Sequence, residues 1–339
     1  MRKKFLSALS GMSIGLVASL IIGTVFTKLY DYTQIELFSY ISSSMYTVTG
    51  AAIGAGMGII LKSKGILLLS YLISGQIAGS FVLKNISGSF HIVPSSGTEP
   101  LVIFLVVFIV YILSELVFKK GSSFDILIIP FFTALTAGLL TLTLSLPINY
   151  LLEAISTLIY NSMELQPILM SILIAVIFAI IITSPVSSVA ISISLGLTSY
   201  VAGAAVVGTS IQMVGLAVQS IKSNKIGTII AIFFGTPMLQ FKNICRRPTI
   251  WLPTLITTTI LAPIAFFLGF ETTAIGAGMG LSALIGPLET MQIMGYGTNI
   301  LYIISLLIII PGILVFLIHL LFLKLRLYQT NDFAIDLNF

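Results

Sequence analysis

Long apolar runs alternate with short polar or basic breaks along almost the whole chain. At about 1.5 Å of rise per residue, each run is of a length suited to a hydrocarbon core of ~30 Å. The first run is interpreted as a retained helix rather than a cleaved signal peptide, because no small-x-small cleavage site follows it. The predicted spans are residues 5–26, 42–61, 65–82, 101–118, 126–144, 168–182, 251–267 and 299–323.

One apolar stretch, Ala274–Glu289, does not fit an uninterrupted spanning helix because it contains four glycines and Pro287. Irregular backbone at membrane depth is tolerated only when it is buried in protein or lines a wet cavity. Broken segments of this kind build substrate sites in secondary transporters. The stretch therefore predicts an outer re-entrant hairpin over residues 272–297. The alternative is a glycine-rich helix packed closely against its neighbours.

A second irregular stretch, residues 186–219, is rich in serine, glycine and alanine. It follows Thr183-Ser184-Pro185, where the proline should end a helix, and it stops before Lys222 and Lys225. If both of its ends are cytoplasmic, the segment must enter the membrane and return. This predicts an inner re-entrant hairpin opposed to the outer one, with its tip at residues 203–208.

Two further segments are amphipathic and predict helices lying in the membrane interface, residues 29–40 and 147–165. The second marks the best domain boundary. The predicted organisation is a scaffold and dimerisation half (1–145), a linker helix (146–166), a transport half (167–325) and a cytoplasmic tail (326–339). The fold class is an all-α polytopic membrane protein with about eight spanning helices, two opposed re-entrant hairpins and interfacial amphipathic helices.

Composition and charge agree with this class. Hydrophobic residues make up 57% of the chain and charged residues 8%, against about 25% charged in soluble domains. Basic residues cluster at the ends of apolar runs, so the net charge of +5 needs no nucleic acid to explain it. The same clusters predict a multi-pass protein of the bacterial plasma membrane, in contact with lipid and with both termini in the cytoplasm.

Two acidic residues, Glu271 and Glu289, are the only ones between Pro167 and Ile318. Ionisable groups inside a membrane are costly and are candidates for function. Glu289 follows the break at Pro287 and is the first candidate ligand for a sugar or a coupling cation. The alternative for Glu289 is a solvated carboxylate at the outer interface.

Uncharged polar side chains add candidate substrate ligands, since amides are costly in lipid unless they are hydrogen-bonded. The alternative is that these groups hold the hairpins together. These candidates are Gln212, Gln240, Thr209, Ser210, Ser282 and Ser184. The residues expected to shape the hairpin backbone are Gly208, Gly276, Gly278, Gly280, Gly286 and Pro287.

No catalytic motif, metal-ligand motif or cofactor signature appears in the sequence, so we expect neither an enzyme nor a bound metal or cofactor. The lone Cys245 lies beside two arginines, which favours a lowered thiol pKa. His319, on the last predicted span, is interpreted as a packing residue. Residues 52–58 and 274–280 share the sequence AIGAGMG, which indicates either an internal duplication or convergence of small-residue segments.

Four motifs resemble the EIIC-like membrane proteins of the bacterial phosphotransferase system, in the type 2 branch that includes the PfoR-type regulators. They are TSPVSS at 183–188, GTSIQMVG at 208–215, GTPMLQ at 235–240 and IGAGMG at 275–280. The resemblance implies an all-helical homodimer whose carboxyl-terminal half moves as an elevator. It also implies a sugar ligand set containing a histidine and a glutamate. Glu289 matches the glutamate, but no histidine lies between Pro167 and Ile318.

Two functions follow from these observations. The first is transport of a small polar solute, a sugar or a sugar-like molecule, by elevator-type alternating access. Any phosphoryl coupling would then come from separate IIA and IIB proteins. The alternative is a membrane sensor or regulator that binds a ligand or a partner without transporting it.

Overall fold

The computed structural model describes residues 1–86, 89–95, 99–118, 122, 124–295 and 298–335. Within these ranges the chain is helical, apart from one two-stranded antiparallel hairpin. The chain divides into two compact units, the first covering Met1–Leu151 and the second beginning at Leu152. The assignment of scaffold and transport roles to the two halves stays a prediction.

The first unit contains five helices before the long connecting helix. Their bounds, with those of the two strands, are α1 Arg2–Thr33, α2 Glu36–Thr47, α3 Thr49–Ile60, α4 Gly65–Ser80, β1 Phe81–Ile86, β2 Ser89–Pro94 and α5 Pro100–Val117. Helix α3 packs between α1 and α4. A Cβ atom at Gly50 or Gly54 would lie 2.3 or 2.2 Å from a carbonyl oxygen of α4. The glycines of α3 therefore allow close helix packing, as their four-residue spacing predicts.

One local prediction in this unit is wrong, and one pair of strands was not predicted. Residues 29–40 do not form one helix, because α1 continues to Thr33 and the chain turns at Gln34, whose φ is 57°. The region between the predicted spans 65–82 and 101–118, for which no secondary structure was predicted, contains β1 and β2, with Lys84 opposite His91. The two extended segments satisfy their backbone N–H and C=O groups by pairing with each other. A search for helical periodicity does not detect such a pair of strands.

Helix α6, Asp125–Met163, contains both the predicted span at 126–144 and the predicted linker. The linker at 146–166 is therefore not a separate helix but the second half of α6, despite Pro130 and Pro147 inside it. Its 39 residues measure about 58 Å at 1.5 Å per residue, longer than a hydrocarbon core. The division between the two units falls inside this helix.

The second unit contains the motifs of the predicted transport half. Its helices are α7 Pro167–Thr183, α8 Ser188–Ser194, α9 Ser199–Ser220, α10 Ile226–Gly235, α11 Phe241–Arg246, α12 Pro248–Phe267, α13 Ala274–Met279, α14 Ile285–Met294 and α15 Asn299–Lys324. Helix α9 is the centre of this unit and contacts α7, α12, α13 and α15. Nearly all of its residues are buried.

The predicted tip of the inner hairpin at residues 203–208 is wrong. Helix α9 runs without a break through this segment, and the chain instead reverses before it, near Gly196, whose φ is 58°. The glycines allow close backbone contacts: a Cβ at Gly203 would lie 1.8 Å from the carbonyl oxygen of Phe270, in the loop after α12, and one at Gly208 would lie 2.0 Å from that of Ala175 in α7. A glycine placed for close approach and one placed for a turn look alike in sequence.

The predicted outer hairpin folds as two short helices, α13 and α14, joined by a turn. Gly280, Ala283 and Leu284 in the turn have φ values of 54°, 48° and 59°. The Gly286 amide donates to the Gly280 carbonyl oxygen at 2.7 Å and closes the turn. Residues 296–297 of this prediction lie outside the described residues, and its re-entrant placement in a membrane stays a prediction.

Six helices among the described residues are long and apolar enough to cross a membrane: α1, α5, α6, α9, α12 and α15. The predicted spans at 42–61, 65–82 and 168–182 correspond to shorter apolar helices. Val48 separates α2 from α3, which divides the first of these spans. Of the predicted tail, residues 336–339 lie outside the described part, while residues 330–333 form a 3₁₀ turn.

Candidate functional site

Glu289 of α14 lies against the start of α13 and is 7% exposed. Thr273, immediately before α13, accepts a hydrogen bond from the Gly276 amide at 3.1 Å and donates its hydroxyl to Glu289 Oε2 at 2.8 Å. The threonine is thus the N-cap of α13 and a partner of the carboxylate at once. These contacts join the two helices of the outer hairpin at a buried acidic group.

Gly276 and Thr272 complete this cluster. A Cβ atom at Gly276 would lie 2.4 Å from Thr272 Oγ1 and 2.9 Å from Glu289 Cβ, so only glycine fits there. The Thr272 hydroxyl is buried and has no hydrogen-bond partner within the described part of the chain. The sequence analysis missed Thr272 and Thr273. A threonine directly before a small-residue helical segment is an N-cap signal that identifies the second of them.

Three hydroxyl groups from α8 and α9 hold α13 in place. Ser188 Oγ donates to the Gly278 carbonyl at 2.6 Å, and Ser192 Oγ donates to that of Ala274 at 2.7 Å. Thr209 Oγ1 donates to the Ala277 carbonyl at 3.1 Å. The last carbonyl groups of a helix lack partners within the helix, so Ser188 and Thr209 satisfy carbonyls at the end of α13, while Ser192 holds its first residue. The predicted substrate ligand Thr209 therefore contacts the hairpin itself.

The turn between α13 and α14 contacts two other predicted motifs. The Leu281 amide lies 3.2 Å from Met213 Sδ of α9, and Ser282 Oγ donates to the Gly235 carbonyl at 2.8 Å. Gly280 fits tightly as well, since its Cβ would lie 2.9 Å from Thr209 Cβ. The structure thus brings the GTSIQMVG, GTPMLQ and IGAGMG motifs together around the hairpin turn.

Gln212 lies one helical turn after Gly208 and Thr209, on the same side of α9. It is fully buried, and neither atom of its amide has a hydrogen-bond partner within the described part of the chain. Leaving a buried polar group unsatisfied costs about 1–3 kcal/mol. Since the residues on either side, Thr209 and Met213, both contact the hairpin, this amide is the clearest candidate to bind a polar ligand.

The other predicted ligands lie elsewhere. Gln240 Nε2 donates to Ser220 Oγ at 2.7 Å and to the Phe333 carbonyl at 2.8 Å, so its amide holds the segment after α15. Ser184 Oγ donates back to the Ile180 carbonyl. Ser210 is fully buried and its hydroxyl has no hydrogen-bond partner within the described residues, but it lies about 200° around the helix from Gln212. Glu271 Oε1 accepts from Ser199 Oγ at 3.1 Å in an exposed position.

The other glycines expected to shape the hairpin backbone lie where two segments of the chain are in close contact. A Cβ at Gly278 would lie 2.5 Å from Val189 Cα, and one at Gly286 would lie 2.3 Å from the Gly280 carbonyl oxygen. Pro287 lies in the first turn of α14, where its missing N–H has no helical acceptor to lose. Among the described residues, no group of three histidine, cysteine or acidic side chains is placed to hold a metal ion.

The thiol pKa of Cys245 is shifted in the direction opposite to the one predicted from the sequence. Desolvation raises the pKa of its thiol above the usual value, although the residue is exposed and two arginines follow it in sequence. His319 Nδ1 lies 2.9 Å from the Tyr328 hydroxyl, and the two rings stack. These contacts agree with the interpretation of His319 as a packing residue.

Cys245 provides a test of sidedness because it is the only cysteine in the chain. Arg246 and Arg247 beside it predict a cytoplasmic position, so we expect a membrane-impermeant maleimide to label it in inside-out vesicles and not in intact cells. The raised pKa reduces the thiolate fraction at pH 7, so labelling should be slower than for a model peptide thiol. Its rate should rise about tenfold per pH unit below the thiol pKa. Labelling in intact cells would contradict the predicted orientation, and Cys245→Ser is the control.

The fold and the site together indicate the general class of this protein. The six long apolar helices in the described part of the chain, and the buried Glu289 between α13 and α14, are typical of a polytopic membrane protein. The chain matches the family described as Phosphotransferase system, EIIC, over residues 6–335, and it belongs to that family. It is therefore a multi-pass component of the bacterial plasma membrane, of the kind that transports sugars. No curated protein and no solved structure matches it.

Proposed function

We propose that this protein moves a sugar or sugar-like polar solute across the membrane, binding it between α9 and the outer hairpin. The observation that carries the proposal is the fully buried Gln212 amide, unpartnered within the described residues, on a helix whose neighbouring residues contact the hairpin. The Thr272 hydroxyl, unpartnered within the described residues, lies with Glu289 close to Gly276 of the hairpin. Polar groups kept buried without protein partners are suited to a ligand that supplies the hydrogen bonds.

The chemistry of these groups fits a polyol. The Glu289 carboxylate is an acceptor only, and charge-assisted hydrogen bonds from hydroxyl groups to it are short and strong. The Gln212 amide offers two donors and an acceptor, and the Thr272 hydroxyl can do either. A sugar hydroxyl is both donor and acceptor, so a ring bearing several of them can satisfy all three side chains.

For the transport cycle, we propose elevator-type alternating access in a homodimer. The unit beginning at Leu152 would carry the solute, and the unit Met1–Leu151 would form the dimer and stay fixed. The division of the chain into two compact units supports this assignment. Phosphoryl coupling would be supplied by separate IIA and IIB proteins, as membership of the family suggests.

The test begins with a thermal-shift screen of the purified protein against sugars, polyols and sugar acids. Uptake of each stabilising compound is then measured in proteoliposomes containing the protein. Stabilisation without uptake, in the presence of IIA and IIB proteins, would favour the sensor function. Failure of all three compound classes to stabilise the protein would contradict the proposal.

Gln212→Leu provides the decisive variant. We expect it to lose ligand-induced stabilisation and to weaken binding by about tenfold or more, because a neutral hydrogen bond to a ligand contributes about 0.5–1.5 kcal/mol and a buried amide offers several. The ligand-free protein should be as stable as the wild type or more so, since the variant removes an unsatisfied polar group.

Ser70→Ala is the matched control for Gln212→Leu. Ser70 is also fully buried with an unpartnered hydroxyl, but it lies on α4 in the first unit. Its replacement should leave ligand affinity unchanged. Equal affinities of Gln212→Leu and the wild type would place the ligand elsewhere.

A further inference from the structure

A polar cavity of about 350 Å³ lies in the second unit between α11 and the segment that follows α15. One wall is basic and consists of Lys242, Arg246 and Arg247. A second wall is formed by Asn331, Asp332 and Ala334. The cavity contains neither Glu289 nor Gln212 in its lining, so it is separate from the proposed solute site. Its volume is within the range of small-molecule pockets, about 300–1,000 Å³.

The second wall is fixed in place by side-chain amides. Gln240 Nε2 donates to the Phe333 carbonyl at 2.8 Å, and Asn243 Nδ2 donates to the Ala334 carbonyl at 3.0 Å. The Ile335 amide donates to Asn224 Oδ1 at 2.8 Å, and the Phe333 ring is fully buried. The segment after α15 is thus a packed part of this unit, and the cavity is preformed.

Arg246 and Arg247 bring two guanidinium groups to the cavity, and Asp332 is the one carboxylate in its described lining. Arg247 pairs with Asp332, whose Oδ2 also accepts from the Gln329 amide at 2.7 Å. Lys242 takes part in another interaction. Arg246 lines the cavity and forms no ion pair within the described part of the chain. Lys242 and Arg246 are four residues apart on α11, a spacing at which like charges repel.

The ion pair between Arg247 and Asp332 can be replaced by a stronger interaction between Arg247 and a ligand. The two side chains are 43% and 30% exposed, and ion pairs that are open to solvent contribute little to stability. A phosphate monoester carries a charge of about −1.5 to −2 and three acceptor oxygens. Guanidinium groups bind such oxygens in a bidentate manner, so two of them facing one cavity favour phosphate over a monovalent anion.

We propose that this cavity binds the phosphate group of a phosphate monoester, with Arg246 and Arg247 as its main ligands. Asp332 is an internal anion that occupies the Arg247 guanidinium in the absence of the ligand. The monoester belongs either to a soluble metabolite or to a lipid headgroup. Both sources present the same chemistry to the two arginines.

Isothermal titration of the purified full chain with inorganic phosphate and with glycerol phosphate, at constant ionic strength in chloride, tests the site. We expect saturable binding by the wild type and a loss of at least tenfold in affinity for Arg246→Gln. Asp332→Asn removes the competing carboxylate and should increase affinity at least threefold. The matched control is Lys225→Gln, which replaces an exposed cation directly before α10 that does not line the cavity, and its affinity should stay within twofold of the wild type.

Titrations in lipid nanodiscs separate the two sources. If phosphatidic acid is the natural ligand, nanodiscs containing it should weaken phosphate binding relative to phosphatidylcholine nanodiscs, and Arg246→Gln should remove this difference. Equal affinities in the two lipids would assign the site to a soluble monoester. The proposal is overturned if neither the wild type nor Asp332→Asn binds phosphate saturably, or if Lys225→Gln weakens binding as much as Arg246→Gln.

Discussion

Replacing Glu289 by glutamine should abolish solute uptake and weaken ligand binding by about 10–100-fold. A hydrogen bond to a charged group contributes about 1.5–3 kcal/mol, and each 1.4 kcal/mol is a factor of ten in affinity. The glutamine side chain has nearly the same shape, and its carbonyl oxygen still accepts from Thr273, so α13 and α14 should stay joined. The variant therefore removes the charge while leaving the hairpin intact. Titration calorimetry and proteoliposome uptake measure the two effects.

Glu271→Gln is the matched control for this result. Its carboxylate accepts from Ser199 in an exposed position, where water replaces any lost interaction. We expect less than a threefold change in affinity. Size-exclusion chromatography with light scattering checks that both variants keep the oligomeric state of the wild type. Unchanged ligand binding by Glu289→Gln would remove Glu289 from the site.

The second large effect is expected from Gly203→Ala. The new Cβ would lie 1.8 Å from the Phe270 carbonyl oxygen, and backbone on both sides must move to accommodate it. Overpacking of this kind costs about 1–3 kcal/mol. At about 2–4 °C per kcal/mol, the melting temperature should fall by roughly 2–12 °C. Differential scanning fluorimetry of the purified protein in detergent measures the change.

Gly138→Ala distinguishes this clash from the general effect of losing a glycine. Gly138 lies within α6, and a Cβ there meets no atom within 4 Å. Alanine is a better helix former than glycine by about 0.5–1 kcal/mol, so this variant should be as stable as the wild type or more so. If Gly203→Ala were equally well tolerated, residue 203 would not lie in close contact with the Phe270 carbonyl.

Several features of the fold could be predicted from the local pattern of residues. Proline and hydroxyl groups at residues 183–185 end α7, as expected for a ring without an N–H. The four glycines in Ala274–Glu289 indicated a broken helix, and α13 and α14 are separate helices joined at Gly280. In each case the relevant property, proline chemistry or glycine freedom, belongs to the residue itself. Such signals need no knowledge of distant neighbours.

Other features depended on distant neighbours. The break expected within residues 186–219 lies before α9 rather than inside it. Gly203 and Gly208 do not form a turn but allow close contact with the Phe270 and Ala175 carbonyl groups. Gln240 was a predicted substrate ligand, yet its amide binds the segment around Phe333, which is 93 residues away in sequence. Thr272 is a candidate only because the packing of α13 on α14 places it close to Gly276 and Glu289.

The sequence by itself determined that this is a membrane protein of the EIIC family, with a broken acidic segment at residues 274–289. Hydropathy, charge asymmetry and short motifs are properties of contiguous residues, so they can be read without a fold. Only the tertiary structure decided which polar groups are satisfied. Gln212 and Gln240 are equally buried amides, but Gln240 has partners in the described chain and Gln212 has none. Hydrogen bonding between distant segments makes that difference, and it identifies Gln212 as the amide to test for a ligand.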